Sequence, residues 1–181
     1  QQYDVDFEER DDVTIEEYLK MIEYKTAVLV GAALKMGAIV SDASEDMQDK
    51  IYEFGRLLGI AFQIQDDFLD TFGDQAIFGK QIGGDIIENK KTFLYLKALE
   101  LADENSAEQL KHLYTISPEK TKNKIETAQQ IFEDSGAKAA TTQAIKTYTE
   151  EAFQHLEQLE VSKEGKDFLI QFGTNLMNRE M

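Results

Sequence analysis

Apolar residues recur at intervals of three and four along most of the chain, as they do in helices that bury one face. The pattern predicts helices over about 15–40 and 45–72, an amphipathic helix over 91–102, and later helices that reach about 159 and 178. No convincing strand pattern, in which apolar and polar residues alternate, is found. We therefore predict an all-α fold, formed as a single helical domain over residues 1–181.

Helix starts are marked by residues whose side chains can bind unsatisfied backbone N–H groups. Thr14 and Glu17 have the spacing of a capping box, in which each side chain binds the other residue's backbone N–H. Further candidate caps are Ser44, Ser106 with Gln109, Ser117 before Pro118, and Ser162. Gly136 separates two later helices, and the four glycines within 73–85 predict a flexible loop.

Composition narrows the possible partners and the compartment. The chain has 181 residues, 42% of them hydrophobic, and a net charge of -16, so we expect it to bind neither nucleic acid nor an anionic membrane surface. The absence of cysteine excludes disulfides and thiolate chemistry and favours a reducing compartment, so we expect the cytoplasm. The longest apolar run, 27–40, contains Lys35 and is too short to span a bilayer comfortably, so we expect no integral membrane segment.

Three aspartates, Asp66, Asp67 and Asp70, interrupt the apolar pattern of the second helix within the stretch FQIQDDFLD. Together with Gly59 and Gln63, two of them form one stripe on that helix, because the spacings are four, three and four residues. Like charges at this spacing repel, so a binding partner should compensate for them. Mg²⁺ is one candidate because it prefers oxygen ligands. A solvated acidic face is the alternative, and three aspartates alone do not decide between the two.

Lysines flank the acidic cluster in the sequence. Lys25 falls on an apolar stripe, which predicts an ammonium on the inner face of the first helix with an anion nearby. The apolar members of that stripe are Tyr18, Ile22, Leu29, Ala32 and Met36. A structural salt bridge or a snorkelling side chain would also explain Lys25. Lys80 lies in the glycine-rich loop, and Asn89, Lys90 and Lys91 stand at a predicted helix start that favours anions. Acids and bases around one loop would suit a diphosphate shared between Mg²⁺ and lysines.

A family resemblance is carried by residues 59–92, whose sequence is GIAFQIQDDFLDTFGDQAIFGKQIGGDIIENKKT. This segment resembles the second aspartate-rich region of the trans-isoprenyl diphosphate synthases, the polyprenyl synthetase family. It contains the family's FQ-x-x-DD-x-x-D helix, its G-K-x-x-G-x-D loop and the N-K pair that follows. Upstream, the family's K-T helix resembles EEYLKMIEYKTAVLVGAALKMGAI, and the end of its G-Q-x-x-D element resembles Gln1 with Asp4. Downstream, its closing helices resemble SGAKAATTQAIKTYTEEAFQHLEQL, and Arg179 lies where a basic residue often does.

The resemblance implies an isoprenoid-synthase-type helical bundle that joins isopentenyl diphosphate to an allylic diphosphate, with Mg²⁺ as cofactor and as a homodimer. It implies that the metal is held by Asp66, Asp67 and Asp70. It implies catalytic roles for Lys25 and Lys80 on the leaving diphosphate, and for Thr26 and Gln63 near the developing cation. It implies substrate binding by Gln1, Asp4, Lys25, Phe62, Lys80 and Lys90, with Lys90 supporting phosphate or aspartate at the far side of the loop.

The sequence departs from the family in one respect, since the family carries two aspartate-rich motifs and only the second is present. The acidic run at 9–12, ERDD, lacks the spacing and the apolar setting of the first. We therefore expect the chain to be the C-terminal half of a longer synthase and to be inactive by itself. A half of this kind should also expose apolar surface and associate through it.

Other classes of all-α protein fit these patterns less well. A non-catalytic partner subunit of a heteromeric synthase would keep the fold but lose metal and phosphate residues, which here match the family. A di-iron bundle needs Glu-x-x-His pairs, whereas His112 and His155 follow Glu108 and Glu151 by four residues. A terpene cyclase or squalene-type synthase would share the aspartate helix, but the G-K loop and the N-K pair favour the chain-elongating branch.

Overall fold

The computed structural model describes residues 7, 10–74, 82–117 and 121–178, and every regular element among them is helical. This confirms the predicted all-α fold. In chain order the elements are α1 (Ile15–Ile22), a π-helical segment (Glu23–Ala27), α2 (Val28–Val40), α3 (Glu45–Phe72), α4 (Gly84–Ile87), α5 (Phe93–Leu101), α6 (Glu104–Leu113), α7 (Lys122–Asp134), α8 (Ala137–Glu157) and α9 (Lys163–Met177). None of the helices in these ranges is long and apolar enough to cross a membrane.

The chain divides into two compact units. The first comprises the described residues up to Tyr18 and those within Ile64–Gln143, and it holds α4 to α7 together with the end of α3. The second comprises Leu19–Gln63 and residues 144–178, and it holds the π-helical segment, α2, α9 and most of α3 and α8. The single domain expected over residues 1–181 stays a prediction.

The first unit is organised around α5, whose first turn is buried on every side. Its buried residues are Phe93, Leu94, Tyr95, Leu96 and Ala98. Helices α6 and α7 pack against it. The expectation of an amphipathic helix over 91–102 is therefore wrong in its pattern, because a helix enclosed by neighbours needs no polar face at its start.

The second unit has its own apolar core, to which α3 and α8 contribute most. The buried members of this core are Phe54, Leu57, Leu58, Ala152, Leu156 and Leu159. Glycines let α2 and α3 approach closely there, since a Cβ added to Gly55 would lie 2.9 Å from the Cα of Gly31. The bounds of α3 agree with the helix predicted over 45–72.

The first predicted helix, 15–40, is observed as a helical run that a π-helical segment interrupts. A π turn contains one residue more than an α turn and so rotates everything after it. The buried positions accordingly fall at Ile22, Ala27 and Gly31, at spacings of five and four. Lys25 is exposed, and Leu29 is 73% exposed. The prediction that Lys25 lies on a buried inner face is therefore wrong in this chain, because it assumed an unbroken α-helical period.

Most of the predicted helix ends are observed. In the capping box, the Glu17 N–H donates to Thr14 Oγ1 at 3.2 Å and the Thr14 N–H donates to Glu17 Oε2 at 3.0 Å. Ser162 accepts from the Gly165 N–H at 3.1 Å. The capping box expected at Ser106 is wrong, since the cap is Asp103 and the helix begins three residues earlier.

Candidate functional site

The three aspartates lie on the last turns of α3, in the first unit, and all are half-buried. Burial and the neighbouring charge of Asp85 raise the pKa of Asp70 to about 6, with a smaller contribution from Asp66, although the hydrogen bond from the Asp85 N–H and the charge of Lys90 oppose this rise. Neighbouring carboxylates that raise the pKa of Asp70 concentrate negative charge around it, which a bound cation would relieve.

Asp67 is held by a tyrosine from α1. The Tyr18 hydroxyl donates to Asp67 Oδ2 at 2.7 Å, and the tyrosine itself is only 1% exposed. Its ring meets the ring of Phe93 edge-on, with centroids 6.1 Å apart. The phenol is therefore an apolar body in the core with its polar end on a carboxylate of the acidic cluster.

Asp70 is held by the turn that leads into α4. The Asp85 N–H donates to Asp70 Oδ2 at 2.9 Å, and the Gly83 N–H donates to the backbone oxygen of Asp70 at 2.7 Å. Gly83 has a φ of 81°, which favours glycine. A Cβ on Gly84 would lie 3.1 Å from Asp70 Oδ1, so the backbone of this turn sits directly against the carboxylate.

The same turn adds a fourth carboxylate and an ammonium. Lys90 Nζ lies 2.9 Å from Asp85 Oδ1 and 2.8 Å from Glu88 Oε2. Burial opposes the charged form of Lys90, but the hydrogen bonds to Glu88 and Asp85 raise its pKa above the ordinary value. Burial likewise raises the pKa of Asp85, and Lys90 offsets this in part. Sequence reasoning gave Asp85 no role, although it is the final residue of the quoted G-K-x-x-G-x-D loop.

A buried lysine supports this turn from α7. Lys124 is 2% exposed, and its ammonium donates to Asn89 Oδ1 at 2.5 Å and to the Ile116 oxygen at 2.9 Å. Asn89 adopts a φ of 59°, so the amide sits at a point of unusual backbone conformation. Burial lowers the pKa of Lys124, and the nearby charge of Lys91 lowers it further. Sequence reasoning missed Lys124, and no motif marks it.

The sequence led us to expect an anion site at the helix start that includes Asn89 and Lys91. The side chains of these two residues instead contact other parts of the protein. Lys91 is 6% exposed, and its ammonium lies 5.0 Å from the ring centroid of Tyr95 and 5.5 Å from that of Tyr114. The Asn89 side chain accepts from Lys124 instead. Both side chains therefore make contacts within the protein beside the turn.

In the second unit, the π-helical segment is attached to one face of α3. Arg56 Nη1 lies 3.0 Å from Glu23 Oε1, and the Thr26 hydroxyl donates to Gln63 Oε1 at 3.0 Å. A Cβ on Gly59 would lie 2.7 Å from the Cα of Ala27. Positions 56, 59 and 63 are three and four residues apart, so this face of α3 receives the segment along two turns. Lys25 is exposed on the same segment.

Mg²⁺ is bound in proteins mainly by oxygen ligands. Among the described residues, no group of three or more histidine, cysteine or acidic side chains could hold a metal ion. Mg²⁺ needs only one or two carboxylates when phosphate oxygens and water complete its octahedron. The oxygen donors of Asp66, Asp67, Asp70 and Asp85 fit that requirement. Gln1, Asp4, Lys80 and Arg179 lie outside the described residues.

Comparison with known proteins identifies the family. A sequence profile described as polyprenyl synthetase matches residues 1–132. The chain belongs to the polyprenyl synthetase family. A curated member of this family, the short chain isoprenyl diphosphate synthase of Methanothermobacter thermautotrophicus, is 39% identical over 180 residues, which are 99% of this chain and 54% of that protein.

Solved structures agree with this assignment. A crystal structure of geranylgeranyl pyrophosphate synthase has a TM-score of 0.92 and 47% identity, covering 100% of this chain and 56% of that one. The geranylgeranyl pyrophosphate synthase of Corynebacterium glutamicum, complexed with isoprenyl diphosphate and magnesium, has a TM-score of 0.89 and 27% identity over 99% of this chain and 51% of its own. The chain thus spans about half the length of the polyprenyl synthetases that it matches.

Proposed function

We propose that the protein is a prenyltransferase that condenses isopentenyl diphosphate with an allylic diphosphate, such as geranyl or farnesyl diphosphate, in a Mg²⁺-dependent reaction. In this reaction the bond between the allylic C1 and the diphosphate oxygen breaks, and C1 bonds to the isopentenyl double bond. A proton is then lost, and the products are a longer polyprenyl diphosphate and diphosphate. The relatives described above carry synthase names, so a non-catalytic partner subunit is not favoured.

One observation carries the proposal beyond family membership, namely the contact between the acidic end of α3 and the turn that leads into α4. Asp85 donates its backbone N–H to Asp70, and its side chain holds the ammonium of Lys90. Carboxylates and a lysine are thus fixed together in the first unit. This combination suits a ligand with several negative charges that is bound partly through a divalent cation.

The aspartates would hold the metal, and the protein fixes them by neutral donors. Magnesium bound there would stabilise the negative charge that develops on the departing diphosphate. The Tyr18 hydroxyl and the Asp85 N–H orient Asp67 and Asp70 without cancelling their charge. Asp66 raises the pKa of both Asp70 and Asp85, so its charge belongs to the same cluster. Lys90 limits the repulsion within it.

Three residues of the second unit have the chemistry for the remaining steps. Lys25 carries an exposed ammonium, which suits a direct bond to a diphosphate oxygen. The hydroxyl of Thr26 donates to Gln63 Oε1, which fixes the orientation of the amide. Oxygen dipoles held in this way stabilise a developing carbocation without trapping it, because neither group is a strong nucleophile. We propose these roles for Lys25, Thr26 and Gln63, and substrate contact for Phe62.

We also propose that the enzyme works in the cytoplasm and as a homodimer. The absence of cysteine agrees with a reducing compartment. The dimer rests on the family resemblance alone.

The direct test is transfer of radiolabelled isopentenyl units by the natural gene product, with Mg²⁺ and each allylic diphosphate in turn. We expect Asp66→Asn to reduce the transfer rate by about 100-fold or more, since a group that stabilises transition-state charge is lost. Asp49→Asn is the matched control, because Asp49 lies on the same helix and its side chain is 70% exposed. The proposed activity would be refuted if the gene product elongated none of the allylic diphosphates.

A further inference from the structure

We propose that Tyr18 is a positioning residue for the metal site, which fixes the side chain of Asp67 so that one carboxylate oxygen faces the cation. The inference rests on the proposed function. It assigns a task to a residue that neither the aspartate motif nor the lysines of the loop include. The observation behind it is the 2.7 Å hydrogen bond from the Tyr18 hydroxyl to Asp67 Oδ2.

The bond has the properties of a permanent contact. Tyr18 is 1% exposed, so water has little access to compete for its hydrogen bond. A buried phenol hydroxyl without an acceptor would cost free energy of folding. The oxygen–oxygen distance of 2.7 Å is the usual one for a well-formed bond donated by a hydroxyl. Asp67 Oδ2 is therefore occupied, and rotation of the carboxylate about its terminal bond is restrained.

The helix that carries Tyr18 is itself fixed at its start. The capping box of Thr14 and Glu17 closes the first turn of α1 immediately before Tyr18. Arg10 Nη1 donates to Glu17 Oε1 at 2.9 Å and links the preceding chain to that cap. The ring packs edge-on against Phe93 of the buried helix α5. Tyr18 thus fixes the carboxylate of Asp67 relative to the core of the first unit.

The chemical identity of the donor matters as much as its position. A lysine in place of Tyr18 would also hold Asp67 but would neutralise the charge that attracts a divalent cation. A phenol orients the carboxylate and leaves its charge in place, as outer hydrogen-bond partners of metal-binding carboxylates do. Asp70 likewise accepts a hydrogen bond from a neutral donor, the backbone N–H of Asp85. Two of the three aspartates are therefore held by neutral donors from different segments.

The test compares Tyr18→Phe with wild type in the natural gene product. Mn²⁺ serves as the probe, and its dissociation constant in the presence of inorganic diphosphate is measured by electron paramagnetic resonance. We expect Tyr18→Phe to raise that constant about tenfold, the scale typical of lost outer partners of metal ligands. Tyr24→Phe is the matched control, since Tyr24 lies six residues further along the same helical run and is 60% exposed. We expect that substitution to leave the constant unchanged.

A double-mutant cycle separates positioning from a general effect on the fold. In an Asp67→Ala background, Tyr18→Phe should change the Mn²⁺ dissociation constant less than twofold, because the side chain that it positions is gone. A tenfold loss in that background, or wild-type affinity in Tyr18→Phe, would overturn the inference while the proposed function stands. Wild-type protein that binds no Mn²⁺ with diphosphate would overturn both.

Discussion

At the scale of single residues, the buried lysine Lys124 holds the turn that carries Asp85. Lys124 binds the side chain of Asn89 and the backbone oxygen of Ile116, and a weaker contact of 3.5 Å reaches the oxygen of Ile87. Ile87 and Asn89 flank Glu88 in the turn that carries Asp85. The ammonium therefore holds the backbone from which the acidic and basic groups of the site project.

We predict that Lys124→Met lowers the free energy of unfolding by about 2 kcal/mol, because buried acceptors lose their donor. Lys122→Met is the matched control, since that side chain is 82% exposed on the same helix. Its effect should stay within about 0.5 kcal/mol. Urea denaturation followed by circular dichroism measures both values, and equal effects of the two substitutions would contradict the role given to Lys124.

The sequence alone identifies the aspartates of the site but not the residues that hold them. Asp66, Asp67 and Asp70 follow helical spacing and match a motif, so local information was enough to single them out. The partners of these residues were not predictable in this way. Tyr18 lies 49 residues from Asp67, and Asp85 lies 15 residues from Asp70, so only tertiary packing brings each pair together.

At the scale of elements, the π-helical segment and the glycine contacts determine how the second unit packs. The helical period predicted a helix over 15–40 and gave its outer bounds well, but it could not reveal the extra residue at Glu23–Ala27. That residue changes which side chains are buried after it. The amphipathic pattern expected over 91–102 is wrong for a different reason. The first turn of α5 is buried on every side, so it has no polar face in contact with solvent.

We predict that Gly55→Ala destabilises the protein by about 1–3 kcal/mol, although alanine is the better helix former. The new Cβ would lie 2.8 Å from a Leu34 methyl group and 2.9 Å from the Cα of Gly31. Gly37→Ala is the matched control, because a Cβ there meets nothing within 4 Å. It should stabilise by up to about 1 kcal/mol. Thermal melts of both variants decide the matter, and stabilisation by Gly55→Ala would show that the close approach is wrong.

At the scale of the whole molecule, the 181-residue chain carries large apolar side chains in contact with solvent. Those on the helical run from the π-helical segment to the end of α2 are Tyr24, Leu29, Met36, Ile39 and Val40, with exposures between 50% and 85%. A net charge of -16 opposes association, but apolar patches of this kind favour it. The sequence-based expectation that the chain exposes apolar surface is consistent with these residues.

We predict that the isolated 181-residue chain self-associates at micromolar concentrations and that Leu29→Glu together with Val40→Glu shifts it towards monomer. The added charges make burial of this surface costly. Sedimentation velocity measures the distribution of species. A wild-type chain that stays monomeric throughout the concentration series would contradict the prediction, as would unchanged association of the double variant.

We propose that the acidic cluster and the lysines promote departure of diphosphate from an allylic substrate during prenyl transfer. The most direct measurement follows diphosphate release and incorporation of labelled isopentenyl units in the same reaction of the natural gene product, with and without Mg²⁺. We predict that one diphosphate is released for each isopentenyl unit incorporated and that both processes require Mg²⁺. Release of diphosphate without incorporation, or no release from any allylic diphosphate, would contradict it.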